Sequence, residues 1–202
     1  MDSKMQTGLL LVLGPIVALV GWMVLYPAEG SIATASELMA DPDLSKAALI
    51  LGFGGMIAIF IGLINISRKM LMAGGAGSSY ANIATFMFMA VVPMLFLGAA
   101  VELSVADATK TMTASTVMML GTAVGNGIAI PVGAGVFLLG IGVALAKNFH
   151  VGAAALLVIS GAALAISSPS LILGADNLAE MVGFMGLFLT SIVLGVLRLR
   201  AD

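Results

Sequence analysis

Charged side chains are scarce in this chain of 202 residues. Asp, Glu, Lys and Arg together make up 9% of it, whereas a soluble globular domain carries about 25%. Hydrophobic residues make up 61%, and the mean hydropathy is +1.19. So few charges cannot cover a domain of this size with a water-facing surface. Because hydrocarbon offers the backbone no hydrogen-bond partners, the sequence predicts an all-α, multi-pass membrane protein.

Cysteine is absent, and histidine occurs only once. The absence of cysteine excludes disulfides and thiolate metal ligands, and it is compatible with any compartment. A single histidine, His150, excludes a haem site that is built on a pair of core histidines. His150 follows Lys147-Asn148-Phe149 in a short turn. We interpret it as a solvated turn residue at the start of a helix, rather than as a ligand of a metal or a lipid phosphate.

Ionisable residues are missing from the middle of every long apolar run. This absence disfavours proton-coupled transport and proteolysis by paired aspartates, which need titratable groups within the membrane. No nucleophile–base pair, metal-ligand spacing or nucleotide fingerprint occurs, so we expect no enzymatic activity and no cofactor. The net charge of −2 and the lack of a basic patch argue against nucleic-acid binding.

Six apolar runs are long enough to cross a bilayer, whose core of roughly 30 Å takes about 20 helical residues. The first run is longer than the core of a secretory signal, which has about 7–15 residues, and no clean cleavage site follows it. We therefore expect it to remain as a crossing. The sequence predicts a single transmembrane domain over residues 1–202, with six crossings at residues 7–26, 47–66, 83–101, 128–146, 151–167 and 181–197.

Basic residues determine the predicted orientation, because Lys and Arg gather in cytoplasmic loops. With six crossings and both chain ends in the cytoplasm, only Lys46 and Lys110 lie outside. A seventh crossing would place five basic residues outside and three inside, against this rule. The six residues predicted inside are Lys4, Arg68, Lys69, Lys147, Arg198 and Arg200.

The uncharged stretch of residues 111–146 is too long for one crossing, because 36 helical residues span about 54 Å. We predict that residues 111–124 form an extra helical segment that lies on the outer side or re-enters the membrane from it. Gly125-Asn126-Gly127 is expected to break this segment. Pro131 is then expected in the first turn of the fourth crossing, where its missing N–H needs no partner.

The outer loop of residues 27–46 is predicted to hold a short surface helix. Ser36-Glu37 and Asp43-Leu44 are the candidate caps, because Ser and Asp side chains accept hydrogen bonds from the backbone at helix starts.

Glycine is abundant, with 25 residues. Helices in lipid associate through small residues, which allow two backbones to approach closely. The second and fourth crossings are the richest in glycine, so we expect both in the bundle interior. Gly52, Gly55 and Gly135 are the candidates for close packing. Together with Asn126 and Pro131 they are also the candidates for a solute pathway, although packing is the favoured interpretation.

Two further sets of side chains could bind cations. Carboxylate oxygens suit hard cations, and Glu102, Asp176 and Glu180 are predicted to meet at the outer ends of the helices. A solvated acidic face is the favoured interpretation of these residues. The 15 methionines include the Met-x-Met pairs 70–72 and 87–89, and thioethers bind Cu(I). Neither Cys nor His accompanies them, so we interpret them as packing residues.

The sequence favours a non-enzymatic subunit of the cell or plasma membrane that packs against partner membrane proteins or copies of itself. Short loops, small-residue helix faces and the lack of core chemistry support this prediction. The alternative is a channel or carrier for a small neutral or weakly charged solute, since Pro15 and Pro93 would kink their helices. The centre of the bundle distinguishes the two, because a channel needs a polar path there.

Overall fold

A computed structural model describes residues 3–27, 34–172 and 178–200 of the chain. These residues are helical apart from short turns, and no strand occurs within these ranges. Helix α1 continues without interruption into a π-helical turn, Val20–Leu25. The described residues form seven α-helices, namely α1 (Ser3–Leu19), α2 (Ala35–Ala40), α3 (Pro42–Ala73), α4 (Ser78–Ala106), α5 (Thr111–Ala146), α6 (Val151–Ile172) and α7 (Leu178–Arg200).

The predicted membrane class is confirmed, since the long helices are apolar and nearly free of charge. In the part of the chain that the structure describes, five helices have the length and hydropathy of a membrane crossing, namely α1 with its π-helical turn, α3, α4, α5 and α7. Helix α6 supplies a shorter apolar stretch, Val151–Ser167. The chain is therefore a multi-pass membrane protein built as a helical bundle of about six spans.

The six long helices form a closed ring. Each helix packs against the next in the order α1, α3, α4, α5, α6 and α7, and α7 packs back against α1. Gly8, near the start of α1, lies against Leu199 at the end of α7, so these two helix ends lie on the same side of the bundle. We call this side the inner end, following the predicted orientation, and the opposite side the outer end.

Large apolar side chains fill the middle of the ring. Phe60 of α3 and Phe88 of α4 are fully buried, and their ring centroids lie 5.7 Å apart. Leucines from the other side of the ring join the same cluster, so one continuous hydrophobic core connects all six long helices. The fully buried leucines of this core include Leu11, Leu63, Leu139, Leu157, Leu187 and Leu194.

Helix α2 confirms the predicted surface helix, but different residues cap it. Thr34 accepts a hydrogen bond from the backbone N–H of Glu37, and the Glu37 carboxylate accepts one from the backbone N–H of Thr34. This reciprocal pair is a capping box. Asp41, rather than Asp43, caps α3 by accepting a 3.1 Å hydrogen bond from the N–H of Leu44.

The predicted break at Gly125-Asn126-Gly127 is wrong. Residues 111–124 are helical as expected, but they continue directly into the fourth crossing as the single helix α5. Pro131 therefore lies inside the helix rather than in its first turn. Neighbouring elements support the extended part, because Ala114 is buried under α2 and Gly121 packs on Val101 of α4. These contacts offset the low helix propensity of glycine, which by itself costs only about 1 kcal/mol.

The orientation can be tested by labelling single cysteines, because the natural chain has none that would react in the background. We expect Ala76→Cys, in the turn between α3 and α4, to react with a membrane-impermeant maleimide only from the cytoplasmic side. Lys110→Cys, before α5, is expected to react only from the outer side. Reaction of both variants from one side would contradict the ring of six spans, and exchanged sides would contradict the orientation.

Candidate functional site

Polar side chains pair at the outer end, where the acidic residues were predicted to meet. Tyr26 donates a 3.2 Å hydrogen bond from its hydroxyl to Oε2 of the half-buried Glu102. Lys46, in the first turns of α3, forms an ion pair with Asp107 at the end of α4, with 2.5 Å between Nζ and Oδ1. These contacts connect the outer ends of α3 and α4 and tie Glu102 to the end of the first span.

The predicted outer cation site is only partly within the described residues. Asp176 and the side chain of Glu180 lie outside them. Within residues 3–27, 34–172 and 178–200, no group of three or more His, Cys, Asp or Glu side chains comes together in a way that could hold a metal ion. Glu102, the described member of the set, contacts Tyr26.

Two of the predicted glycines lie in the contact that α3 makes with α1 and its π-helical turn. The backbone of Gly52 lies against the indole of Trp22, which also packs edge-to-face on Phe53 at 5.7 Å. A Cβ atom on Gly55 would stand 2.5 Å from the carbonyl oxygen of Gly14. Only glycine leaves room for these backbone contacts, because any other side chain would have to occupy the same space.

The remaining candidates lie on α5. Gly135 faces α4, where a Cβ atom would stand 2.7 Å from the ring of Phe88. Asn126 and Pro131 are half-buried residues of the same helix. The structure therefore places Gly52 and Gly55 on the face of α3 that packs against α1 and its π-helical turn, and Gly135 in a separate contact between α4 and α5.

A groove runs along the lipid-facing side of the bundle between α1 and α3. It encloses about 200 Å³ and is almost entirely apolar. Gly14 and Gly55 form part of its lining, together with Leu13 of α1 and Ala58 of α3. Gly54, also in the lining, is exposed, and a Cβ atom there would meet nothing within 4 Å. We call this feature the α1/α3 groove.

A larger cavity of about 930 Å³ opens at the inner end of the ring. Its lining comes from α1, from the last turns of α3 and α7, and from the turn between α5 and α6. Asp and Glu do not occur among the described residues that line it. We call it the inner basic cavity after its basic lining residues, which are Lys4, Arg68, Lys69, Lys147, His150 and Arg198.

The turn between α5 and α6 has a defined geometry beside this cavity. Lys147 ends α5 with a left-handed backbone, φ 52°, and its N–H donates a 3.1 Å hydrogen bond to the carbonyl of Val143. Nδ1 of His150 accepts a 3.1 Å hydrogen bond from the N–H of Gly152 in the first turn of α6. Since Nδ1 is the acceptor, Nε2 carries the proton of the neutral ring and is a hydrogen-bond donor.

Sequence reasoning placed these basic residues on the cytoplasmic side but found no basic patch. Neighbouring chain segments that carry them lie about 50 to 80 residues apart, so no local run of charge reveals the cavity. No protein-family model matches the chain, and neither a curated protein nor a solved structure is similar to it.

Proposed function

We propose that this protein is a non-enzymatic subunit of the cell membrane that binds other transmembrane helices through the α1/α3 groove. The observation that carries the proposal is the open position at Gly54. Gly54 and Ala58 are spaced four residues apart on α3, and both line the groove. Small residues at this spacing permit close approach of a second helix, which is the main source of helix association in lipid.

The shape of the groove supports a protein occupant. Gly14 and Gly55 have no side chains that would fill the groove, and Leu10 and Leu13 flank it on the α1 side. A ridge of side chains on another helix fits such a depression and gains van der Waals contacts that flexible lipid chains make less well. The occupant is a helix of a second copy or of a different membrane protein.

The packed centre of the ring supports a subunit over the alternative of a channel or carrier. Phe60, Phe88 and Leu63 are fully buried there, and they belong to one continuous apolar cluster. A solute pathway would need a continuous set of available polar groups, whereas the buried hydroxyls of Ser67, Thr85 and Thr190 donate to carbonyl groups of their own helices.

Filling the groove tests the proposal. Gly54→Leu is expected to reduce association at least about tenfold, because a Cβ atom at this position meets nothing within 4 Å and the added bulk takes up space in the groove that a partner helix needs. The measurement is native mass spectrometry after gentle extraction from the native membrane. Complexes with multiples of 20.4 kDa would identify self-association, and other masses would identify a different partner.

The control adds the same bulk to a different lipid-facing position. Ala90 is an exposed residue of α4, so Ala90→Leu is expected to leave the complexes unchanged. A wild-type protein that is monomeric after every gentle extraction would contradict the proposal, and so would equal loss of complexes in both variants.

A further inference from the structure

We propose that the inner basic cavity is a binding site for a phosphate-bearing anion. This inference is independent of the proposed function, because the cavity and the α1/α3 groove are lined by different residues apart from Gln6. The anion is either the headgroup of an acidic phospholipid or a soluble phosphate compound, and the two share the chemistry that the cavity offers.

The convergence of basic side chains is the first observation. The orientation rule explains why Lys and Arg lie on the cytoplasmic side, but it does not bring them to one place. Five of the six basic residues predicted inside line this single cavity, from four separate segments of the chain. Arg200, on the last turn of α7, is the one that does not. Arg68, Lys147 and Arg198 come from three of these segments, and an anion in the cavity is attracted by all three charges together.

The kinds of donor in the lining are the second observation. Arg68 and Arg198 present planar guanidinium groups, which bind phosphate oxygens through two parallel hydrogen bonds. The amides of Asn65 and Asn148 and the Nε2–H of His150 add uncharged donors. Thr7 is less available as a donor to an anion, because its hydroxyl donates a 2.9 Å hydrogen bond to the carbonyl of Ser3.

The size and position of the cavity are the third observation. A volume of about 930 Å³ lies at the upper end of the range for small-molecule sites, about 300–1,000 Å³, and exceeds what a bare phosphate ion needs. The cavity opens at the end of the bundle where cytoplasmic headgroups lie in the predicted orientation. Basic pockets between transmembrane helices at this level bind acidic lipid headgroups. Apolar side chains such as Ile66 and Leu197 lie beside the cations and suit the acyl end of a lipid.

The test uses the full-length protein in nanodiscs of equal parts phosphatidylglycerol and phosphatidylcholine. Native mass spectrometry then counts the lipids that remain bound after the protein has been ejected from the nanodisc. We expect the wild-type protein to retain phosphatidylglycerol preferentially. Arg68→Gln and Arg198→Gln are each expected to weaken this retention at least about tenfold, since each removes charge-assisted hydrogen bonds.

Arg200→Gln is the matched control. It removes the same charge from the same turn of α7, but Arg200 does not line the cavity. We expect it to change retention by less than about threefold, because the Arg200 side chain is not part of the cavity lining. Lys147→Asn tests the site at a position with little risk to folding, since Lys147 is exposed and Asn tolerates its left-handed backbone. It is expected to weaken binding in the same direction as the arginine variants.

A second arm distinguishes the two sources of phosphate. Inorganic phosphate is titrated calorimetrically into the protein in nanodiscs of phosphatidylcholine alone. Binding that Arg198→Gln weakens and Arg200→Gln preserves would support the site with a soluble ligand, whereas retention of phosphatidylglycerol alone would support it with a lipid headgroup. The proposal is overturned if neither probe binds, or if Arg200→Gln weakens binding as much as Arg198→Gln does.

Discussion

Gly55→Ala is expected to lower the free energy of unfolding by about 3 kcal/mol, at the upper end of the usual cost of overpacking. A Cβ atom there would stand 2.5 Å from the Gly14 carbonyl oxygen and 2.8 Å from the Cα atom of Ala18. Both are backbone atoms, so they cannot rotate away and α1 must move as a whole. The measurement is equilibrium unfolding in mixed detergent micelles, followed by circular dichroism.

Gly54→Ala provides a control at the adjacent position of the same helix. A Cβ atom on Gly54 meets nothing within 4 Å, so this variant is expected to be neutral or to gain up to about 1 kcal/mol from helix propensity. Alanine is still small, so the α1/α3 groove remains open to a partner. Equal stability of Gly55→Ala and Gly54→Ala would show that close approach of α1 and α3 is not what stabilises this side of the ring.

The second large effect is expected at the aromatic contact in the core. Phe88→Ala removes a fully buried ring that lies against Phe60, and we expect a loss of about 3–5 kcal/mol. In lipid the cost comes mainly from lost van der Waals contacts around the cavity, because the hydrocarbon outside is as apolar as the core. The same unfolding assay measures it.

Two further variants make this prediction specific. Phe86 lies on the same helix but is 64% exposed, so Phe86→Ala is expected to change stability by no more than about 0.5 kcal/mol. Gly135→Ala should destabilise the wild-type protein, because its Cβ would stand 2.7 Å from the Phe88 ring. That cost is expected to fall sharply in the Phe88→Ala background. Additive effects in this double-mutant cycle would contradict a direct contact between the two positions.

The sequence predicted the membrane class and the number of long helices because both follow from composition over windows of about 20 residues. The position of the short helix α2 was also predictable, since a polar outer loop of this length offered capping residues. Its caps were assigned less well. Thr34 and Asp41 act as caps instead of Ser36 and Asp43, because several suitable residues compete and local geometry decides between them.

The continuity of α5 could not be predicted from glycine content. Gly125-Asn126-Gly127 is a strong break signal in an isolated chain, where exposed backbone finds water. Here α2 and α4 cover part of the extended helix, and tertiary contacts of this kind override local propensity. The π-helical turn at Val20–Leu25 was also not predicted. It lies where Gly21 packs against Gly52 of α3, and a contact between distant segments leaves no local pattern in the sequence.

The inner basic cavity also depends on tertiary contacts that the local sequence does not predict. Each basic residue was assigned to the cytoplasmic side from the sequence, but the shared cavity depends on how the ring closes. Arg198 reaches it only because α7 packs between α6 and α1. A single sequence carries no signal for such a contact, because the residues that meet lie on segments far apart in the chain.

The length of α5 has a consequence for how the protein sits in a bilayer. A helix of 36 residues is about 54 Å long, while the hydrocarbon is about 30 Å thick. Even at a tilt of about 40°, the upper end of what transmembrane helices adopt, only about 26 residues fit within the hydrocarbon. The first ten or so residues of α5 therefore stand at headgroup level, with α2 resting beside them. Met112, which is 85% exposed, belongs to this part of α5, so its exposed side chain lies outside the acyl-chain region.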